Sequence, residues 1–321
     1  MRTTTTLGEE RQHNVRPDMT EVRSTTLRNN KMASNVIHTT PKSRTRNQWI
    51  NIGRISNDET EDDICDIPRG LAVDKEGKLV VTDGLRRIQK LNFRNFERTT
   101  IVCETLNAQK VFPLHIAVSK DNHYFVTDFQ SQDVFICDSD GRLVKYFQTK
   151  SLADPMGIAI NTTTNIVYVA NKGKHTVSMF TSDGDYIKSF DQKVPENSQL
   201  LNPYGIAVDH KWNVVVSDRS QHRIQVFDAS FNPLFTFGSR GSTPGLLHHP
   251  EGIAVDKEDS IYVCDNGNDR VQKFSSNGGF ICCINGAYPL KNPKGVAIDD
   301  EENRVFVAAF NAIYIYECAT T

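Results

Sequence analysis

The sequence lacks the features that mark membrane proteins, secreted proteins and zinc modules. The N-terminal segment MRTTTTLGEE has no apolar core of a signal peptide, and no apolar run approaches the roughly 18 residues that span a bilayer. The seven cysteines are an odd number without a Cys-x-x-Cys pair, which indicates reduced thiols rather than a disulfide framework or a closed zinc site. We therefore expect a cytoplasmic protein without a membrane segment.

Charge divides the chain into two parts. Residues 1–46 contain nine Lys or Arg against four Asp or Glu and show scarcely any hydrophobic periodicity, so we predict a disordered basic tail. This tail could be solvated, fold back on an acidic face or reach a polyanion. Residues 47–321 contain 28 basic and 35 acidic residues, so the rest of the chain carries an excess of negative charge.

One phrase occurs six times: Pro, two variable residues, a hydrophobic residue, Ala and another hydrophobic residue. Its prolines are 45, 42, 48, 47 and 43 residues apart, which is the period of a four-stranded propeller blade. They are Pro68, Pro113, Pro155, Pro203, Pro250 and Pro293. The repeats predict an all-β fold, a six-bladed β-propeller of four-stranded antiparallel blades that forms one domain over residues 47–321.

The ends of the chain predict how the ring closes. In the fourth repeat, turn residues separate predicted strands at 205–208, 214–217, 224–227 and 234–237. Only 28 residues follow Pro293, enough for three strands. The segment Trp-Ile-Asn-Ile-Gly at 49–53 is similar to the fourth strand Leu-Phe-Thr-Phe-Gly at 234–238. We infer that this N-terminal strand completes the last blade.

Further motifs within the repeats carry a family resemblance. The phrase PxGIAVD is followed by a hydrophobic pair and Asp, and then by Arg, Ile or Val, Gln and an aromatic residue, as at 216–227 and 263–274. This pattern resembles the NHL repeat, and the propeller resembles that of tripartite-motif proteins and the Brain tumour repressor. In the third blade Asn171 replaces the Asp, and in the sixth Ala308 and Ala309 replace the motif. A function that needs a regular ring of charges is therefore not expected.

The repeated polar residues are expected to be structural. Each Asp would accept backbone hydrogen bonds in the turn after the second strand, and the Arg that follows lies close enough to pair with it. Catalysis is not expected of them, since an active site breaks symmetry. The residues concerned are Asp83, Arg87, Asp218, Arg223, Asp265 and Arg270.

Residues that differ among the blades are better candidates for function. The start of the first strand and the end of the second lie on the same face of an antiparallel blade, around the central channel, and we call this the channel face. His115 stands there where the five other repeats have Gly. The predicted binding residues are Arg69, His115, Phe129, Lys172, Tyr204, Arg219, Lys294 and Phe310.

The family resemblance implies that this face binds RNA or protein partners. Arg, Lys and aromatic residues suit both single-stranded RNA and protein hot spots. The negative charge of residues 47–321 favours a protein partner, because phosphate neutralisation supplies much of the affinity for RNA. We predict a monomeric adaptor in ubiquitin-ligase pathways that recognises clients. Its RING would come from another chain or from a longer isoform, because no Cys-x-x-Cys pair is present. Binding of single-stranded RNA in post-transcriptional repression is the alternative.

An enzyme is the third hypothesis. Some six-bladed rings of similar repeats are metal-dependent lyases or hydrolases, and their metal sites need about three inward histidines or several carboxylates. Here His115 is the only histidine at the start of an inner strand, although His248 and His249 could reach the same face. We therefore expect no metal, no cofactor and no catalytic activity.

Overall fold

The computed structural model is a closed ring of six antiparallel sheets. It describes residues 24–25, 49–56, 67–92, 98–101, 111–190, 199–284, 290–310 and 312–318. The strands are β1 (Ser24–Thr25), β2 (Trp49–Ser56), β3 (Leu71–Val73), β4 (Leu79–Thr82), β5 (Ile88–Leu91), β6 (Arg98–Ile101), β7 (Pro113–Val118), β8 (Tyr124–Asp128), β9 (Asp133–Cys137), β10 (Leu143–Tyr146), β11 (Pro155–Asn161), β12 (Ile166–Asn171), β13 (Thr176–Thr181), β14 (Tyr186–Ser189), β15 (Pro203–Val208), β16 (Val214–Asp218), β17 (Arg223–Phe227), β18 (Pro233–Phe237), β19 (Pro250–Val255), β20 (Ile261–Asp265), β21 (Arg270–Phe274), β22 (Phe280–Ile284), β23 (Gly295–Asp299), β24 (Arg304–Ala309) and β25 (Ala312–Cys318).

Each blade is one sheet, and the blades follow the chain order. Blades 1 to 5 contain β3 to β6, β7 to β10, β11 to β14, β15 to β18 and β19 to β22. Blade 6 contains β23 to β25 together with β2. The first strand of every blade contacts the first strand of the next, and β23 contacts β3. The predicted six-bladed propeller of four-stranded antiparallel blades is therefore confirmed.

The N-terminal strand closes the last blade, as the sequence predicts. β2 pairs antiparallel with β25 over its whole length, from Trp49 opposite Cys318 to Ser56 opposite Ala312. The observed strand is three residues longer than the predicted segment 49–53. Because the two ends of the ring share one sheet, the joint between them is held by backbone hydrogen bonds.

Blade 1 carries a fifth strand from the predicted tail. Ser24 pairs with Ile101 and Thr25 with Thr100, antiparallel to β6. The prediction of a disordered tail over residues 1–46 otherwise falls outside the described residues.

Helices are short in the described part of the chain. Three-residue 3-10 helices, Lys172–Lys174, Arg219–Gln221 and Asn266–Asn268, follow the second strands of blades 3, 4 and 5. None of the helices described has the length and hydropathy to cross a membrane.

The core lies between neighbouring blades rather than inside each sheet. Tyr168 and Ala170 of blade 3 pack against Val214 and Val216 of blade 4, and all four are buried. Because a blade has a neighbour on both sides, its second strand is buried on both faces, as β20 is. Each large apolar side chain buried in this way stabilises the fold by roughly 1.5–3 kcal/mol.

The inner strands approach one another too closely for side chains at the repeated glycine. A Cβ on Gly205 would lie 2.2 Å from the carbonyl oxygen of Glu251, and one on Gly295 would lie 2.0 Å from that of Arg69. These contacts explain the glycine of the Pro-x-Gly phrase. Blade 2 is the exception, with His115 at this position.

The repeated aspartates bind both their own blade and the segment that leads into it. Asp265 accepts hydrogen bonds from the Nε atom of Arg270 at 2.7 Å, from the Gln272 side chain at 3.0 Å and from the His248 N–H at 2.6 Å. Asp83 pairs with Arg87 at 2.7 Å. The sequence predicted backbone donors in the turn after the second strand. The structure adds a donor, the N–H of His248, that precedes the proline of the repeat.

The fourth and third blades vary this pattern. Asp218 accepts from the N–H groups of Leu201 and Asn202, but the Nη2 atom of Arg223 lies 3.9 Å from its Oδ2 atom. In blade 3, Asn171 accepts from the N–H of Ala153 at 2.8 Å and so keeps the contact with the incoming segment. An amide in place of the carboxylate is enough for this role.

Candidate functional site

The strand register places the variable residues on one face. Pro113 pairs with Asp128 and Pro203 with Asp218, so in these blades the start of the first strand lies beside the end of the second. All six blades contribute to this channel face. The turns between first and second strands, such as the one containing Trp212, lie on the opposite face.

Three cations from blades 1, 4 and 6 lie close together on the channel face. They are Arg69, Arg219 and Lys294, and all three are half-buried. Burial and the positive charges of Arg69 and Arg219 lower the pKa of Lys294, although Glu251 opposes them. The chain therefore concentrates positive charge near the axis of a ring that has an excess of acidic residues.

A buried carboxylate lies among these cations. Glu251 is 4% exposed, and its Oε1 atom lies 3.0 Å from the Nε atom of Arg219. Burial raises the pKa of Glu251 although Arg219, Lys294 and Arg69 all oppose the rise. Its Oε2 atom is buried and has no hydrogen-bond partner among the described residues, and the same holds for the Nε atom of Arg69. The cluster therefore contains one hydrogen-bond acceptor and one donor that are not used.

His115 and Tyr204 are the uncharged members of the cluster. Their rings meet edge to face, with 5.6 Å between the centroids. Burial, followed by the charges of Arg69 and Lys294, lowers the pKa of His115 to about 4, so the imidazole is neutral at pH 7. Burial and the neighbouring Glu251 raise the pKa of Tyr204. Both side chains can therefore offer hydrogen bonds without adding charge.

The axial cavity beneath this cluster is narrow. Its volume is about 40 Å³, and it is lined by His115 and by the glycines of blades 3 to 6. A cavity of this size has room for a few water molecules but not for an organic ligand. A ligand on the axis would therefore be bound at the mouth of the channel, against the cation cluster.

Exposed apolar side chains surround the cluster. Phe129 and Phe310 are 44% and 50% exposed. The Phe129 ring lies 6.2 Å from the ring of Phe112, which in turn lies 5.8 Å from the Arg69 guanidinium. Two further exposed apolar residues on this face, which the sequence analysis did not single out, are Leu85 and Leu201.

The predicted binding residues thus fall into two groups. Five of them converge at the channel mouth: Arg69, His115, Tyr204, Arg219 and Lys294. Phe129 adjoins them through Phe112, whereas Lys172 lies 3.8 Å from Asp154 and the Phe310 backbone bonds to Lys291. The sequence analysis missed Glu251 as a site residue. The available signal was that Glu251 is the one acidic residue among those that follow the six repeat prolines.

Three histidines lie together: His248 and His249, which were expected to reach the same face, and His222, which was not singled out. One ring atom from each of His222, His248 and His249 falls within 4.8 Å of the others. Burial and neighbouring positive groups lower the pKa of His222 and of His249, so both rings are neutral and chemically able to bind a metal. The backbone N–H of His249 donates to Nδ1 of His222 at 3.0 Å, so the lone pair of this nitrogen is not available to a metal.

The same backbone contact recurs between other blades without histidine. The Gln132 side chain accepts from the N–H of Asp154, and Asp269 accepts from the N–H of Asn292 at 2.8 Å. The positive charges of Arg219 and Arg240 also reach the histidines and oppose a bound cation. We therefore interpret the hydrogen bond from His249 to His222 as a structural contact between blades 4 and 5, and not as part of a metal site.

Comparison with known proteins supports the fold. The family model described as NHL repeat matches residues 247–274, which lie in blade 5. No curated protein matches the chain in sequence.

Several solved structures are similar in fold. A catalytically inactive virginiamycin B lyase from Staphylococcus aureus, bound to quinupristin, is 13% identical, with 92% of this chain and 98% of that one covered and a TM-score of 0.61. A gluconolactonase from Xanthomonas campestris is 16% identical, with coverage of 79% and 87% and a TM-score of 0.56. A chain of a nidogen/laminin complex is 18% identical, with coverage of 73% and 85% and a TM-score of 0.58. Such low identities show a shared fold alone. The chain is thus a six-bladed β-propeller with an NHL repeat in its fifth blade.

Proposed function

We propose that this propeller is a non-catalytic recognition platform that binds protein partners through the channel face. The observation that carries the proposal is the combination, on one face, of half-buried cations with exposed apolar side chains. Arg69 and Arg219 lie near the axis, and Phe129 and Phe310 are exposed around it. Arginine and aromatic residues are enriched in the hot spots of protein interfaces.

The narrow axial cavity supports a surface-binding function. A volume of about 40 Å³ does not admit an organic substrate, so a partner would contact the rim and the mouth of the channel. The repeated polar residues, such as Asp265 and Arg270, are paired with each other and serve the fold. Two of the structural neighbours described above are enzymes, but their identities of 13% and 16% carry only the fold.

The partner class follows from the family resemblance. We propose that the channel face recognises clients for ubiquitin ligation, with the RING supplied by a partner chain. Single-stranded RNA is the competing ligand, because a guanidinium beside aromatic rings, as at Arg69 and Phe112, also suits splayed bases.

Site-specific photo-crosslinking in cells tests the proposal and identifies the ligand class. Phe129 or Phe310 is replaced, one at a time, by p-benzoylphenylalanine, which keeps an exposed aromatic ring on the channel face. The matched control carries the same group at Trp212, an exposed aromatic residue on the opposite face. We expect defined protein adducts from positions 129 and 310 that position 212 does not form.

The composition of the adducts decides between the alternatives. A RING protein or ubiquitylated clients among the adducts would support the ubiquitin-pathway role. RNA adducts without protein adducts would replace the proposal by the RNA alternative. Equal labelling from all three positions would mean that the channel face is not a recognition surface.

A further inference from the structure

The cation cluster at the channel mouth is short of negative charge. Arg69, Arg219 and Lys294 converge there, and within the described part of the chain Glu251 is the carboxylate that interacts with all three. His115 and Tyr204 add no charge at pH 7. Among the described residues no second carboxylate balances the other two positive charges, and burial together with repulsion from Arg69 and Arg219 lowers the pKa of Lys294.

The cluster also keeps polar atoms without partners. Oε1 of Glu251 accepts a hydrogen bond from Nε of Arg219. Oε2 of Glu251 and Nε of Arg69 are buried and have no hydrogen bond within the part of the chain that the structure describes. A buried polar group without a partner destabilises the folded protein, because it has lost its hydrogen bonds to water. Glu251 is almost wholly buried and belongs to the same group of side chains as the excess cations. A ligand that supplies negative charge and an acceptor would satisfy Nε of Arg69, whereas Oε2 of Glu251 needs a donor.

We propose that Arg69, Arg219 and Lys294 bind a carboxylate of an acidic peptide segment on the protein partner. The inference rests on the proposed function and names the chemical group that the channel face recognises. Arginine binds carboxylates through paired hydrogen bonds, and three cations from three blades can surround one carboxylate from several directions.

The surroundings of the cluster favour a peptide over a nucleic acid. Arg69, Arg219 and Lys294 lie close enough for their charges to interact near the axis, and Arg86 adds one more cation over the Phe112 ring. Arg87 and Arg270, which lie further out on the same face, are each 2.7 Å from an aspartate and are already neutralised. A polyanion needs repeated contacts along its backbone, whereas one acidic side chain needs a single compact site.

Apolar side chains beside the cluster indicate what flanks the acidic residue. The Phe112 ring lies 5.8 Å from the Arg69 guanidinium and adjoins exposed Phe129. A ligand carboxylate on Arg69 would therefore place the neighbouring residue of the peptide over these two rings. The peptide class that fits is an acidic residue next to an aromatic or large aliphatic residue.

The test uses three labelled probes of equal length and the full chain. One is a peptide with two glutamates flanked by phenylalanines, the second has glutamine for glutamate, and the third is an oligouridine. Binding is measured by fluorescence anisotropy. We expect the glutamate peptide to bind about tenfold or more tightly than its glutamine counterpart, as a charge-assisted contact of ~1.4 kcal/mol requires.

Substitutions in the cluster should change affinity in opposite directions. Arg69→Met and Lys294→Met should each weaken binding of the glutamate peptide by about tenfold, whereas Glu251→Gln should strengthen it by roughly threefold, because it removes a competing carboxylate. Lys211→Met removes an exposed lysine from the opposite face and should leave binding unchanged. Circular dichroism and melting temperature show whether each variant is folded.

Several outcomes would overturn the inference. Equal affinity for the glutamate and glutamine peptides, or no binding of the glutamate peptide at millimolar concentration, would do so. Tighter binding of oligouridine that the same two Met variants abolish would assign the cluster to phosphate instead. If binding survives in both peptides but is lost in Phe129→Ser, the channel face still recognises protein and only the carboxylate inference fails.

A second measurement does not depend on folded variants. Glutarate, a small dicarboxylate, should raise the melting temperature of the unaltered protein more than chloride does at equal ionic strength. The absence of any difference between the two anions would contradict a carboxylate site.

Discussion

The Nε atom of Arg219 lies 3.0 Å from Oε1 of Glu251, so a cation from blade 4 pairs with a buried carboxylate of blade 5. The side chain of Arg219 is partly exposed, whereas that of Glu251 is not. The pair therefore links two neighbouring blades at the candidate site, and its loss should affect stability as well as binding.

Arg219→Met should lower the free energy of unfolding by about 1–3 kcal/mol, because it leaves Glu251 buried with less compensation. The double variant Arg219→Met/Glu251→Gln should recover part of this loss. Urea unfolding of the single and double variants measures the coupling. Strictly additive effects would show that the two side chains do not depend on each other.

Acid should destabilise the protein partly through His115. Its pKa of about 4 in the folded state lies below the ordinary histidine value of 6.5, so the unfolded state binds the proton more readily. The stability contributed by the neutral ring is complete above pH 6.5 and is lost as the pH falls towards 4. His115→Gln should therefore reduce the loss in the free energy of unfolding between pH 6.5 and pH 4 by about 1–3 kcal/mol. His123→Gln, in a turn on the opposite face, is the control, and an equal effect there would contradict the assignment.

A methyl group on an inner-strand glycine should disrupt the ring. Gly205→Ala would place Cβ 2.2 Å from the backbone oxygen of Glu251, and backbone atoms cannot move aside as a side chain does. We expect a loss of about 2–3 kcal/mol or more in the free energy of unfolding. Gly279→Ala, where the nearest atom is the Ser275 hydroxyl at 3.0 Å, should cost less than about 1 kcal/mol. Similar losses in both variants would argue against close packing at the axis.

The closing strand should depend on Trp49. This side chain is 8% exposed and packs edge to face against Tyr262 of blade 5. Trp49→Ala should lower the free energy of unfolding by about 3–5 kcal/mol. The chain has two tryptophans, so Trp212 remains to report unfolding by fluorescence, and Trp212→Ala, at a residue 38% exposed, is the control. A negligible effect of Trp49→Ala would mean that β2 contributes little to closure.

The repeated aspartates should differ in how well they tolerate an amide. Asp265→Asn weakens the 2.7 Å ion pair with Arg270 and should cost about 2 kcal/mol, whereas Asp218→Asn should cost under about 1 kcal/mol, because Arg223 is 3.9 Å away. Asn171 already fills this position in blade 3. Thermal unfolding of the two variants provides the comparison, and the opposite order would refute the role assigned to the ion pair.

Sequence periodicity was sufficient for the architecture. The spacing of the six prolines predicted the blades, and segment 49–53 predicted the strand that completes blade 6. Both features depend on backbone pairing and on local side-chain alternation, which repeat visibly along the chain. The sequence also placed Arg69, Tyr204 and Lys294 on one face, because strand direction decides which ends of a blade lie together.

Convergence at the site required the tertiary structure. Glu251 and the cations around it come from four different blades, so no local pattern indicates that their charges interact. The neutral state of His115 likewise follows from burial and from Arg69 and Lys294, which are distant in the sequence. The sequence by itself determined the ring, its closure and the face on which the variable residues lie. Only the folded ring decided which of them share one electrostatic environment, because ring closure brings residues of non-adjacent repeats to a common axis.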